Sequence, residues 1–511
     1  MDNRTTDAAW HYHNGTKHPN GKLLNPWHRF TPGLMPLHKL YPELQPIPLL
    51  PETRPLNTPA LVAISSAVAP AGEQVPDVGT LARVLYFSAG ITKRIDHGPP
   101  AGTAEYRAAA CTGALYHIEL YVVCGDLPDL PAGVYHFDPL EPALRQLRAG
   151  DYRRALIAAS GNERGIASAP AIVVYTDVFA RNAEKYQARA YRHAFWDSGT
   201  IIAHTLATAA ATGLPARVVA GFVDEAVNRL LDLDPQREYA VALVPLGHTA
   251  HAAPAAPDVT PLGLDTWPPA GEPAPGAEAI LAMHAASSLG TAAEVSAWRG
   301  GTPQSPGAPA TGPQFPLRPA AAAEQPGDLI EDVILRRGST RRFMQATLTF
   351  AQVSTLLHKG LSAIPADFLE PQGTSLTRLY AISAAVDGLP PGGYVYRRSA
   401  QAFELLRTGH LRAAARHLAL GQELAADASI NLYFTTDLTR VLARYGNRGY
   451  RAAQLEAAIA AGRLYLAAYA LRLGATGLTF FDDDVATFFT PHAKDASTMF
   501  LIALGKKASR R

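Results

Sequence analysis

The sequence predicts an α+β fold in which one domain is used twice in tandem, and two observations carry this. Helix-period runs alternate with short β-branched runs, which favours packed layers of helix and sheet. Scattered identities also recur at a near-constant offset of 259 residues. Leu130-Pro131-Ala132-Gly133-x-Tyr135 returns as Leu389-Pro390-Pro391-Gly392-x-Tyr394, and Leu147-Arg148-x-Gly150 as Leu406-Arg407-x-Gly409. Lys185-Tyr186-x-x-Arg189-x-Tyr191-Arg192 returns as Arg444-Tyr445-x-x-Arg448-x-Tyr450-Arg451. Phe222-x-Asp224 returns as Phe481-x-Asp483, and Leu246-Gly247 as Leu504-Gly505, one residue out of step. A period this long marks a duplicated domain, not a solenoid.

Residues 1–75 carry many prolines (Pro26, Pro32, Pro36, Pro42, Pro46, Pro48, Pro51, Pro55), which deny regular structure and suggest an extended arm. In the first domain, 76–250, Leu81, Val84 and Leu85 give a helix face ending at Gly90. Ile118–Val123, Gly133–Phe137, Ala171–Tyr175 and Val241–Leu246 read as strands. Arg153–Ala159 reads as a helix, as does the Ala-rich run Ala188–Ala211, stopped by Gly213. Residues 251–327 are rich in Ala, Pro and Gly and read as a linker. Within it Ala277–Trp298 has helical spacing, an insert expected near the active site. The second domain is 328–511.

Composition excludes several classes. A net charge of +2 gives no global field for nucleic acid. Two cysteines, Cys111 and Cys124, are too few for a disulfide framework or structural zinc site. His193 and His204 are too far apart on their helix to share a metal, so no metal site is expected. Met1–His18 lacks the apolar core of a signal peptide, and Arg463 and Arg472 interrupt the most apolar stretch. The expectation is a cytoplasmic protein with no membrane span.

The most informative stretch is Arg336-Arg337-Gly338-Ser339-Thr340-Arg341-Arg342-Phe343. It follows an amphipathic helix (Leu329, Val333, Ile334), and Gly338 is expected in the left-handed region as that helix stops. Guanidinium forks and a hydroxyl on one loop suit a phosphate dianion, although a solvated basic turn has the same composition.

This loop, followed by Phe343, resembles the FMN-phosphate loop of the nitroreductase superfamily. Thr112-Gly113-Ala114-Leu115-Tyr116-His117-Ile118-Glu119-Leu120-Tyr121 resembles the Pro-Ser-Ala-Gly-Ala-Leu-Tyr-Pro-x-Glu-x-Tyr pattern of its SagB-type branch, with Cys111-Thr112 for Pro-Ser and His117 for Pro. The resemblance covers about 81–248 and 328–507. It implies that the tandem copies form an intrachain pseudo-dimer with FMN at their interface. The phosphate loop is expected only in the second half, because Ile64-Ser65-Ser66-Ala67-Val68 has no arginine. The Gly-Ala loop is expected only in the first, because Ser375-Leu376-Thr377-Arg378 lacks it. One composite site and one FMN per chain follow.

Cofactor contacts implied by the resemblance are Arg336, Arg337, Ser339, Arg341 and Lys506, with Thr112, Gly113, Ala114, Thr479 and Phe480. Asp482 to Asp484 read as a capped helix start. Lys185 and Tyr186 match the pair that transfers a proton in SagB-type azoline dehydrogenases. Desolvation and nearby arginines would lower the lysine's pKa into a usable range. Arg444, its second-half counterpart, cannot act as a base. The alternative for Lys185-Tyr186 and the following Arg-x-Tyr-Arg is to knit the halves together.

The resemblance implies an FMN-dependent dehydrogenase acting on a thiazoline, oxazoline or related C–N bond in a peptide or small natural product. The alternatives are an NAD(P)H-dependent reductase of nitroaromatics, quinones or enones, and a flavin-free scaffold for a biosynthetic partner. Further assembly into a homodimer of pseudo-dimeric chains stays open.

Overall fold

The computed structural model describes residues 3–18, 37–49, 55–98, 102–267, 273–303 and 309–508. Pro26, Pro32, Pro36 and Pro51 of the expected arm lie outside them. Two separate antiparallel sheets confirm the α+β pseudo-dimer. The first runs, edge to edge, Pro46–Pro48, Ala143–Ala149, Gly133–Asp138, Ile118–Cys124, Ala171–Asp177 and Tyr239–Leu246. The second runs Gln314–Pro316, Ala402–Thr408, Gly392–Arg397, Thr377–Ser383, Ile430–Thr436 and Ser497–Gly505, then adds Gly474–Leu478. Strand by strand the two orders match. In the first half the place of Gly474–Leu478 is held by isolated bridges from Ala216 and Val219 to the final strand.

The halves meet through two long Ala-rich helices, Ala190–Ala211, buried as far as Ala209, and Arg448–Ala470, buried throughout. A Cβ on Gly199 would lie 2.5 Å from the Ala458 Cβ, and one on Gly462 would lie 2.7 Å from the Ala203 Cβ. Ala458 is the counterpart of Gly199 and Gly462 of Ala203 at the repeat offset. Each glycine therefore packs on its own copy in the other half, as a two-fold crossing requires, and the missing side chains let the backbones close. Any larger residue there overpacks the crossing.

Several sequence expectations need correction. The arm is not irregular throughout: Asp7–Gly15 and Ala60–Ser65 are helices and Pro46–Pro48 is an edge strand. Ala60–Ser65 is the first-half copy of Ile330–Arg336, and the two are linked reciprocally, Ala60 N–H to the Asp328 carbonyl at 2.8 Å and Ile330 N–H to the Thr58 carbonyl at 3.1 Å. Gly338 is not left-handed, because the helix already ends at Arg336 and Arg337 is extended. The insert is two helices, Ala277–Ala286 and Ala292–Trp298, and Gln314–Pro316 of the linker joins the second sheet. No helix among the described residues is long and apolar enough to cross a membrane.

Candidate functional site

The pseudo-two-fold creates two seams, and each is pinned by one carboxylate holding two arginines of the other half. Asp482 binds Arg192 at 2.5 Å and Arg189 at 3.1 Å. Its counterpart Asp224 binds Arg448 at 2.5 Å and Arg451 at 2.6 Å. Burial alone would raise the Asp224 pKa, but the two guanidinium groups outweigh it and hold the carboxyl at about 2. Arg192 and Arg451 thus do knit the halves together. Asp482 opens its helix as expected, but its carboxylate serves this tie, not the helix end.

At the Asp482 seam the structure brings most of the sequence-derived residues together. Thr112–Ala114 is a tight turn with Gly113 at φ 63° and Ala114 at φ 55°. A Cβ on Gly113 would sit 2.8 Å from the Tyr186 hydroxyl and 3.4 Å from Lys185 Nζ, so only glycine lets the turn approach that pair. Lys185 Nζ lies 5.2 Å from the centre of the Tyr186 ring. Partial burial, and not the arginines, pulls the lysine below its ordinary pKa, whereas burial pushes Tyr186 up and keeps it protonated. From the second half, Arg341 lies near enough to act electrostatically on Tyr186. Arg337 crosses the seam, donating from Nε to the Ala108 carbonyl at 2.6 Å. Phe480 is fully buried, with its ring 5.9 Å from Trp196 and under Arg189. A chain of rings from Tyr186 through His193 to Trp196 joins it to the first half.

Among the described residues, Arg337 Nη1 and Thr479 Oγ1 are two of several buried polar atoms here with no hydrogen-bond partner. A buried guanidinium N–H left unsatisfied is costly and points to a missing acceptor. Ser339 is half-buried, while Arg341 and Lys506 are exposed. The Lys506 carbonyl accepts from Met344 N–H at 3.0 Å, which lays the strand end beside the arginine loop. Arg336 points elsewhere, pairing with Asp328 and the Tyr469 carbonyl.

Sequence reasoning missed what holds the turn. Asp197 accepts from Thr112 N–H at 2.8 Å and from its hydroxyl at 2.9 Å. His117 bridges Asp177 at 2.5 Å and Asp197 at 2.7 Å, and the Cys111 thiol lies 3.2 Å from Asp197. Burial opposes charge on His117, but the two carboxylates outweigh it and raise its pKa. The donor atoms of Cys111, His117 and Asp197 all lie within 4.8 Å of one another, at hydrogen-bond spacings that satisfy each. His117 in place of proline was the available signal.

The other seam is filled. Ala220 and Gly221, the counterparts of Thr479 and Phe480, donate their N–H groups to the Asp367 carboxylate at 2.9 and 3.0 Å. Trp298 of the insert is buried against Tyr445, with Nε1 donating to the Tyr445 carbonyl at 3.0 Å. Arg444 is tied to the Arg299 and Gly300 carbonyls at 3.0 and 2.7 Å. The insert starts against Gln187 and Ala188, just past Tyr186, but ends by plugging the opposite seam.

The Nitroreductase family model matches residues 103–248 and 334–506, more than half of the chain. The chain belongs to the nitroreductase family. A candidate nitroreductase of Anabaena variabilis, known from its crystal structure, is 26% identical to this family member. That alignment covers 98% of this chain and 99% of the other, with a TM-score of 0.76. The microcin B17-processing protein McbC of Escherichia coli is 31% identical over 137 residues, 26% of this nitroreductase-family chain and 50% of McbC, so the match spans about half of McbC's length. A candidate nitroreductase of Methanocaldococcus jannaschii, MJ1384, is 23% identical over 167 residues, 33% of this chain and 78% of its own.

Proposed function

We propose that this nitroreductase-family chain is an FMN-dependent oxidoreductase of the SagB type, with one FMN at the Asp482 seam. The observation that carries the reading is the contrast between seams. Where Asp367 caps the N–H groups of Ala220 and Gly221, the counterpart positions Thr479 and Phe480 belong to a seam with unsatisfied buried donors, Arg337 Nη1 and Thr479 Oγ1 among them, and a glycine cradle. Those features fit a bound group rich in acceptors. Arg337, Ser339, Arg341 and Lys506 would hold the phosphate, a role in which paired charged hydrogen bonds fix geometry. Arg336, committed to Asp328, would contribute only at a distance. Thr112–Ala114 would lie against the cofactor, and the Thr479 and Phe480 backbone would offer donors. FMN, when bound, supplies the two-electron exchange with a substrate carbon.

The chain's own residues would handle the proton. Lys185, its ammonium destabilised by partial burial, would take up at Nζ the proton lost when the C–C bond of an azoline ring is dehydrogenated, the electron pair and second hydrogen leaving to the flavin. Tyr186 would stay protonated and orient the substrate. The substrate class we favour is a thiazoline or oxazoline in a modified peptide, because the first half contains the Lys-Tyr pair and McbC processes microcin B17. Turnover of an azoline peptide with oxygen, lost in Lys185→Ala while flavin is retained, supports this. Rapid flavin bleaching by NAD(P)H alone, with no azoline turnover, would instead favour a reductase of nitroaromatics or quinones, and a colourless protein would leave a scaffold.

A further inference from the structure

The loop that carries the Gly113 turn is under more strain than its copy. Two of its non-glycine residues, Ala114 at φ 55° and Tyr116 at φ 47°, sit in the left-handed region and need their surroundings to hold them there. At the repeat offset the loop is Pro371–Ser375, where Gly373 alone has a positive φ. The carboxylate that grips the loop is kept in both halves. Asp197 corresponds to Glu456, which accepts from Leu376 N–H at 2.7 Å, from the Thr377 hydroxyl at 3.2 Å and from the Ser375 hydroxyl.

What stands behind the carboxylate differs. Strand register sets Asp177 where Thr436 stands and Tyr239 where Ser497 stands. His117, one residue before its strand, corresponds to Leu376. A buried chain therefore exists in the first half alone: Tyr239 donates to Asp177 at 2.9 Å, and His117 bridges Asp177 and Asp197. In the second half Thr436 simply donates to the Leu376 carbonyl at 2.6 Å. Burial pushes Glu456, with no histidine behind it, above the ordinary carboxyl value. Burial raises Asp177 too, but His117 and Tyr239 pull against it, and the proton stays on the imidazole between two carboxylates. The other groups facing Asp197 are Cys111, Thr112 and Tyr186, and none of them supplies a positive charge.

We infer that His117 is a positioning residue: a cation clamped between Asp177 and Asp197, it fixes Asp197 and through it sets the strained turn against Tyr186 and Lys185. Its effect on turnover rests on the oxidoreductase reading above, whereas its effect on the turn does not. The variant that tests it is His117→Leu with Asp177→Thr, the second half's own residues at these places. It removes one positive and one negative charge together, so the net buried charge is kept, and it leaves Asp197 as Glu456 stands. Amide hydrogen exchange at Thr112–Tyr116, measured with no flavin added, quickens at least about tenfold while the rest of the first sheet is unchanged. Nitrogen NMR of the unmodified protein finds both His117 ring nitrogens protonated from about pH 5 to about pH 9. Turnover relative to the unmodified protein falls about ten- to a hundredfold near pH 7 with flavin still bound, and recovers as rising pH ionises the isolated Asp197. Taking the ratio removes the rise that Lys185 gives both proteins. Asp197→Asn, which cannot ionise, stays slow at every pH. Unchanged exchange at the turn, an unprotonated His117 nitrogen at neutral pH, the same fractional loss of turnover at every pH, or recovery in Asp197→Asn overturns the inference. A chain with neither flavin nor turnover sinks the oxidoreductase reading alone, and the exchange and nitrogen spectra still decide the role of His117.

Discussion

The two seams share their framework and differ in their loops. Both keep an aspartate gripping two arginines across the interface, Asp482 with Arg189 and Arg192 and Asp224 with Arg448 and Arg451. Only one keeps Arg337, Arg341, Gly113 and Lys185. At the other, Asp367 accepts from Ala220 and Gly221, and Trp298 and Arg444 bond to backbone carbonyls of Tyr445 and Gly300. Fusion into one chain explains why this is tolerated. Both copies are buried against each other at this interface, and under the proposed reading one site per chain suffices, which leaves the second seam free to serve as packing.

The largest expected effect tests the shared part. Removing either aspartate leaves two buried arginines uncompensated, a loss of about 3–5 kcal/mol. In chemical denaturation Asp482→Ala and Asp224→Ala should therefore destabilise alike. Only Asp482→Ala should also reduce flavin content, and equal flavin loss in both would erase the distinction between seams. Next, Lys185→Ala should lower turnover about 10²- to 10³-fold, measured with flavin still bound, while Arg444→Ala leaves turnover unchanged. A comparable loss from Arg444 would mean that the plugged seam takes part in the chemistry.

How far these differences could be read in advance depended on their range. The repeat, the long helices and the missing arginine in Ser65–Val68 are local or periodic, and the sequence displayed them. The composite pairing of the Gly113 turn with Lys185 and Arg341 also followed, once the copies were set face to face. What was illegible is long-range and side-chain specific. Asp367 lies 147 and 146 residues from its donors, and Trp298 looked like an ordinary apolar helix position. Arg336 and Arg337 are neighbours with the same chemistry, and only the early helix end at Arg336 sends one to Asp328 and the other across the seam. The helix in Ala60–Ser65 was hidden by the prolines around it.

Smaller effects sharpen the comparison further. Arg341→Ala should weaken FMN by about ten- to a hundredfold, the loss of one charge-assisted contact, read by fluorescence of released flavin. Acid should loosen the Asp224 tie late. Its folded pKa of about 2 lies below the ordinary 3.8, so its stabilisation is full above that ordinary value and fades as pH falls toward 2. That amounts to about 2 kcal/mol, and Asp224→Asn should flatten this limb of an acid-unfolding curve.

Flavin stoichiometry of the purified chain tests the central claim most directly, from the absorbance of extracted flavin against protein concentration. One FMN per chain, displaced by changes at Arg337 or Arg341 and indifferent to Arg444, is the predicted result. Two per chain, or none after reconstitution with excess FMN, would contradict it.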